Sequence, residues 1–169
     1  MSTVRQYLAP EEAQALSSSF PAFDKVNGTN YPVSRLLYDA SATESAFWKL
    51  EPLAYGSGNL TCDLIWYAVN ATTGVVRWEV ALAAITPESD SQDAETKSLA
   101  AAVTVDDTHL GTTSKRLHRA TATISGSSLD SLAAGDEVWL KVSRIGGHAN
   151  DTMANDAALT SIRLSYSDT

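Results

Sequence analysis

Apolar residues alternate with polar residues in short runs along most of this chain. The clearest run places Leu60, Cys62, Leu64, Trp66 and Ala68 at every second position. Because successive side chains of a β-strand point to opposite faces, such a run gives a strand with one buried face. Turn-forming residues separate the runs, and no long stretch has helical spacing. The pattern predicts an all-β protein.

About eight strands are predicted, each with one apolar and one polar face. Two antiparallel sheets must then pack face to face as a β-sandwich. Long connections over residues 86–97 and 106–116 favour a jelly roll, and an immunoglobulin-like sandwich, whose Cys, Trp, Cys spacing is absent, is the alternative. The predicted strands are Val33–Asp39, Ser45–Leu53, Leu60–Val69, Val75–Ile85, Ser98–Val105, Leu117–Ser125, Glu137–Ile145 and Ala157–Ser167. A hairpin loop is expected at Asn70–Gly74, between the third and fourth of them.

Residues 1–31 are predicted to form a short N-terminal arm, followed by the sandwich domain of residues 32–169. Pro10 and the two glutamates after it favour one or two helical turns that continue into Ala13–Leu16. The arm carries large apolar side chains that need a surface to cover, on its own domain or on a neighbouring subunit. These candidate interface residues are Tyr7, Leu8, Phe20 and Phe23.

Charge and composition narrow the classes of partner. The chain of 169 residues carries a formal net charge of −8, and a strongly acidic protein repels nucleic acid and anionic lipid. No segment approaches the ~20 apolar residues of a membrane span, and the N-terminus has no basic region followed by an apolar stretch. We therefore expect no nucleic-acid partner, no membrane partner and a protein that the Sec route does not export.

Residues that carry reactive chemistry are few and poorly arranged. His109, His118 and His148 lack the close spacing of cupin metal ligands, so solvated or capping roles are predicted for them. Cys62 lies in an alternating run and is expected to be a buried apolar residue. The acidic loop 88–95 offers oxygen donors that a calcium ion can use, without the glycine and spacing of an EF-hand. No catalytic residue, metal site or cofactor is predicted, and a non-enzymatic role is expected.

The tryptophans divide into two groups by their position in the strands. Trp48, Trp66 and Trp78 share the apolar face of their runs and are predicted to lie in the core. Trp139 falls on the opposite face of its strand from the apolar neighbours Val138 and Leu140. Trp139 is therefore the one tryptophan that is predicted to be exposed, and it suits a ligand cleft or a subunit interface.

A pattern of turns and strands extends over about the last two thirds of the chain. Its segments are Gly56–Leu60 and the Trp66 strand through to Trp78, then Asp90–Asp93, Thr108–Thr112, Leu132–Asp136 and Asp156–Thr169. This pattern resembles the jelly-roll cement or head-decoration proteins of tailed bacteriophages. The resemblance implies a capsid-stabilising virion protein that is assembled in the host cytoplasm, binds the major capsid protein and forms a homo-oligomer, commonly a trimer. It supplies no catalytic residue.

A second function remains open beside the virion one. The chain is also consistent with a carbohydrate-binding or receptor-binding β-sandwich module of a phage tail or fibre, in which Trp139 and loop acids form the site. No Gly/Ser-rich or Pro-rich tether is present to support that alternative.

Overall fold

The computed structural model describes residues 2–50, 54–89 and 93–169. Within them the chain forms ten β-strands and two 3₁₀ turns, at Pro10–Glu12 and Gly126–Leu129. The strands are β1 (Thr3–Leu8), β2 (Ala22–Asn27), β3 (Pro32–Tyr38), β4 (Thr43–Leu50), β5 (Leu60–Ala68), β6 (Val75–Ile85), β7 (Val103–Thr108), β8 (His118–Ile124), β9 (Glu137–Ile145) and β10 (Ala157–Ser167). None of the described helical segments is long and apolar enough to cross a membrane.

Two antiparallel sheets form the predicted sandwich. One has six strands, ordered β2-β3-β10-β5-β8 with β1 also paired to β10, and the other has four strands, ordered β4-β9-β6-β7. Between β3 and β10 in the sequence, the chain crosses repeatedly from one sheet to the other, which is the jelly-roll arrangement. The fold class predicted from hydrophobic alternation is confirmed.

The predicted strand boundaries hold where the alternation is strongest. The bounds of β6, β9 and β10 are those of the prediction, whereas the strand expected at Ser98–Val105 begins only at Val103. The end of the strand expected to reach Leu53 lies outside the described residues. The loop 70–74 is not a hairpin, because β5 and β6 belong to different sheets. Gly74 in this loop packs against the Met153 backbone and has a φ of +124°. Residues other than glycine rarely adopt this φ angle.

The N-terminal region, predicted as an arm, adds strands to the six-stranded sheet. β1 pairs with β10 from Thr3 opposite Ser167 to Leu8 opposite Ile162, and β2 pairs with the edge of β3. The chain ends are held together, since the Ser2 N–H donates to Asp168 Oδ1 at 2.8 Å. Residues 2–27 are therefore part of the sandwich.

The prediction that helical turns continue into Ala13–Leu16 is wrong. A single 3₁₀ turn covers Pro10–Glu12, and Ala13 is already extended. The backbone of Gln14 exchanges hydrogen bonds of 2.8 and 2.9 Å with Phe47 on β4. Pairing with a sheet edge satisfies the backbone groups that a helix would otherwise satisfy, so tertiary contact overrides the local preference.

The core lies between the sheets and contains the three tryptophans predicted there. Trp48, Trp66 and Trp78 are at most 1% exposed. The Trp66 and Trp78 rings meet edge to face with centroids 6.1 Å apart, and Tyr38 meets Trp78 in the same way at 5.2 Å. Such aromatic pairs add stabilisation beyond their buried area.

Candidate ligand-binding cleft

Trp139 and Phe47 lie together on the outer face of the four-stranded sheet. In the sheet register Trp139 of β9 lies between Lys49 of β4 and Ala83 of β6. Phe47 of β4 is opposite Lys141, which is two residues after Trp139 on β9. Both aromatic side chains are half-buried. Ala81 and Ala83 occupy the outward positions of β6 beside them, and their small side chains leave space above the sheet.

Two irregular segments close this face into a cleft of about 420 Å³. On one side the segment Gln14–Leu16 runs beside β4, held by the Gln14–Phe47 bridge. On the other side are Lys97 and Leu99, where the Ala100 N–H donates to the Leu82 carbonyl at 2.8 Å. The floor and walls consist of Gln14, Ala15, Leu16, Phe47, Ala83, Ile85, Ala94, Glu95, Lys97, Leu99 and Trp139.

Most of the charged side chains around the cleft form pairs of opposite sign. On the outer face of this sheet Lys49 pairs with Glu137 at 3.0 Å, Lys141 with Glu79 at 3.4 Å, and Arg77 with Asp106 at 2.9 Å. At the wall, Lys97 pairs with Asp130 at 3.1 Å. These pairs supply hydrogen-bond donors and acceptors for a polar ligand, and Glu95 adds a carboxylate to the cleft wall.

The indole of Trp139 differs from those of Trp48 and Trp66, while the buried N–H of Trp78 also lacks a partner in the described part of the chain. Trp48 donates its N–H to the Ala9 carbonyl at 2.9 Å, and Trp66 donates to Asp107 Oδ2 at 2.7 Å. Within the described ranges Trp139 has no protein acceptor for its N–H. It offers a flat apolar face and a free donor to a ligand in the cleft.

The remaining candidate interface residues are scattered. Phe20 (46% exposed) and Phe23 (53%) line a neighbouring groove of about 400 Å³ that shares Gln14 with the cleft. Tyr7 is 63% exposed and belongs to the other sheet. Leu8 is only 6% exposed and packs in the core, because alternation along β1 turns it inward, so this residue of the arm covers its own domain.

His109 and His118 are buried together, contrary to the solvated roles predicted for them. They are 4% and 9% exposed, and their ring centroids lie 4.5 Å apart beside Trp66. Both ring nitrogens of His109 and Nε2 of His118 lack a hydrogen-bond partner. Burial, followed by the nearby His109, lowers the pKa of His118. His148 does act as a cap, accepting the Asn150 N–H on Nδ1 at 3.0 Å.

Nothing in the described parts of the chain gathers three or more metal-ligating side chains. Residues 90–92 of the acidic loop considered for calcium lie outside those parts. Cys62 is buried as expected, and burial raises the pKa of its thiol to about 12. A thiol with that pKa is a poor nucleophile near neutral pH.

Comparison with known proteins gives structural likeness alone. No family model matches the chain, and no curated protein matches it. Superposition on the CBM22-1 and GH10 modules of xylanase 10B from Clostridium thermocellum, solved with xylohexaose, gives a TM-score of 0.52 at 8% identity, covering 95% of this chain and 27% of that one. This likeness supports the β-sandwich fold.

Two further structures resemble the chain more loosely. The family 11 carbohydrate-binding module from Clostridium thermocellum, in complex with a mixed-linked tetrasaccharide, has a TM-score of 0.48 at 10% identity, over 95% of this chain and 87% of that one. The mannan-recognising module TmCBM27 has a TM-score of 0.47 at 11% identity, over 99% of both chains.

Proposed function

We propose that this protein is a non-catalytic carbohydrate-binding β-sandwich module that holds a neutral glycan in the cleft of Trp139 and Phe47. The single observation that carries the proposal is the half-buried, unpartnered Trp139 indole in a walled cleft on a sheet face. Sugar rings present apolar C–H faces that pack on aromatic rings, while their hydroxyls need hydrogen-bond partners. Lys49, Glu137 and Lys97 supply such partners around the ring.

Intrinsic fluorescence tests this proposal directly because the core tryptophans are shielded. Trp48, Trp66 and Trp78 are at most 1% exposed, so acrylamide quenching reports chiefly on Trp139. A glycan array first identifies an oligosaccharide that the protein binds. Titration with that oligosaccharide is expected to change the tryptophan emission and to protect Trp139 from acrylamide quenching. An array that retains no neutral glycan, or a glycan whose binding leaves quenching unchanged, contradicts the proposed site.

Substitution at the cleft supplies the second test. Trp139→Ala is expected to weaken glycan binding by at least about tenfold, since it removes the stacking surface. The matched control is Tyr31→Ala, which removes an aromatic side chain that is 71% exposed and outside the cleft. Isothermal titration of both variants measures the difference. Equal affinities for the two would exclude Trp139 from the site.

The exposed groove beside the cleft favours a second candidate function. We propose as the alternative that the protein decorates a phage capsid as a homo-oligomer, with Phe20 and Phe23 buried against the major capsid protein. Light scattering after size exclusion, combined with retention on expanded capsids, tests it. The variant Phe20→Ser/Phe23→Ser is expected to lose retention, whereas Leu117→Ser, at a residue 61% exposed elsewhere, is expected to keep it. Wild-type protein that stays monomeric and fails to bind capsids rejects this function.

A further inference from the structure

The outer face of the six-stranded sheet carries an arginine patch, formed by Arg5, Arg119 and Arg163. Arg5 and Arg163 are exposed, and the Arg119 side chain is 64% exposed. The sheet register places Tyr7 of β1 directly opposite Arg163 of β10, and directly opposite side chains share a sheet face. The patch surrounds a depression of about 450 Å³.

The guanidinium groups of the patch are largely uncompensated. Asp63 is the acidic residue that lines the depression. It lies 3.9 Å from Arg119 and accepts a hydrogen bond of 2.6 Å from the Thr121 hydroxyl. Across the stretches of chain that the structure describes, neither Arg5 nor Arg163 forms an ion pair. The four-stranded sheet differs, because its outward cations are paired.

The patch gathers three arginines around one carboxylate, that of Asp63, in a protein of net charge −8. Exposed guanidinium groups form bidentate hydrogen bonds with carboxylates. The 63% exposed ring of Tyr7 adds an apolar surface beside Arg163, and the hydroxyls of Thr121 and Ser165 add polar contacts. The patch thus combines carboxylate recognition with a platform for a sugar ring.

From this combination we infer that the arginine patch is a second glycan site, specific for a polysaccharide that carries carboxylates, such as a chain of uronic acids. It lies on the opposite face of the sandwich from the cleft of Trp139, and the two sites are independent. Nucleic acid is the less suitable polyanion, because its dense phosphates meet the repulsion of the whole acidic molecule as well as the attraction of the patch.

Native gels containing polygalacturonate or its methyl-esterified form provide a matched pair of ligands, which differ only in the carboxylate charge. The wild-type protein is expected to be retarded by polygalacturonate and much less by the ester. Its Kd, measured by isothermal titration, is expected to rise with salt concentration. Heparin and duplex DNA serve as comparison polyanions with sulfate and phosphate groups.

Arginine variants localise the site. Arg163→Gln is expected to weaken polygalacturonate binding by about tenfold, since one charge-assisted contact is lost, and Arg5→Gln/Arg163→Gln to weaken it further with a smaller dependence on salt. Lys25→Gln is the matched control, because it removes the same charge from an exposed side chain of β2 outside the depression. Circular dichroism checks that all variants fold.

Three results of the polygalacturonate experiments would overturn the inference. They are no retardation by polygalacturonate, equal retardation by the ester, and equal weakening by Lys25→Gln. Equal or tighter binding of heparin or duplex DNA would also overturn it, because the patch would then attract any polyanion. Trp139→Ala is expected to leave polygalacturonate binding unchanged and Arg163→Gln to leave neutral-glycan binding unchanged, so failure at one site is distinguishable from failure at the other.

Discussion

Arg144 is buried completely and is surrounded by oxygen atoms. Its guanidinium donates to both carboxylate oxygens of Asp151, at 2.7 and 2.9 Å, and to the carbonyls of Tyr38, Met153 and Asn155 at 3.1, 2.6 and 2.9 Å. Neither side chain of the ion pair is exposed. This cation ties the loop after β9 to the end of β3, and removing it alone is expected to cost more than breaking a surface ion pair.

Arg144→Met is expected to lower the free energy of unfolding by about 3–5 kcal/mol, because it leaves the Asp151 carboxylate buried without its partner. Lys49→Met is the control: it breaks a pair whose side chains are 50% and 42% exposed, and about 1 kcal/mol or less is expected. Urea unfolding measures both. If Arg144→Met costs no more than Lys49→Met, the buried pair does not hold the loop.

His118 gives the molecule a dependence on pH. Burial and the adjacent His109 lower the pKa of His118 below its ordinary value of 6.5, and the other charged groups that act on it are Asp107 and Arg116. The unfolded chain therefore binds this proton first as the pH falls. The stabilisation is complete above about pH 6.5 and is lost progressively as the pH falls from there through the lowered pKa.

His118→Phe is expected to flatten this loss of stability, because the ring packing against Trp66 is kept and the titrating group is removed. Urea unfolding at pH 7.5 and pH 5.5 gives the two free energies. His148→Asn, at an exposed histidine, is expected to keep the wild-type slope. An unchanged slope in His118→Phe would show that other groups determine the pH dependence.

At the scale of elements, β1 shows how a terminal segment becomes part of a core. Its inward positions are Val4, Gln6 and Leu8 and its outward positions include Arg5 and Tyr7. A polar Gln6 on the inward face interrupts the alternation, which is why the sequence pattern did not indicate a strand. The sequence pattern also did not indicate β2, because the charged Lys25 lies on the same side of this strand as the apolar Phe23.

Neighbouring substitutions in β1 test its membership of the fold. Leu8→Ala is expected to cost about 2–4 kcal/mol, since it empties a buried site, whereas Tyr7→Ala, at a residue 63% exposed, is expected to change stability by less than about 0.5 kcal/mol. Denaturant unfolding separates the two. Equal small effects would mean that β1 detaches from β10 in solution.

β6 and β9 have buried residues at every second position over their full length, so their bounds follow from residue type alone. The bounds of β10 were predicted equally well, although its register shifts between Leu159 and Ser161 and its buried positions change parity there. β7 begins later than predicted because Leu99 leaves the ladder and lines the cleft. Local pattern cannot distinguish an apolar residue that packs in a sheet from one that lines a cleft.

At the scale of the whole molecule, the sequence predicted one half of the candidate site. The sequence predicted that Trp139 points outward, because it lies between the apolar residues Val138 and Leu140. Phe47 carries the same signal, because both of its neighbours in the chain are buried. The cleft walls are contributed by residues 14–16 and 94–99, which are distant in sequence from β9. The pairing of His109 with His118 likewise depends on the approach of β7 and β8, and no local pattern encodes it.

The two sheet faces also divide the electrostatics of the molecule. The cleft lies among matched ion pairs, while the arginine patch is a cationic area on an otherwise acidic protein. If both proposed sites bind, a neutral and an anionic glycan are expected to be held on opposite sides of the sandwich without competing.

The contact between Ser2 and Asp168 has a practical consequence for protein engineering. The first and last strands, β1 and β10, pair with each other and bring Ser2 to Asp168, so a few glycine residues suffice to join these two positions covalently. New ends can then be opened at Thr112 and Thr113, which are exposed in the β7–β8 connection. The resulting circular permutant keeps every strand pairing, and a fluorophore or a second binding domain fused there would extend from a different part of the scaffold.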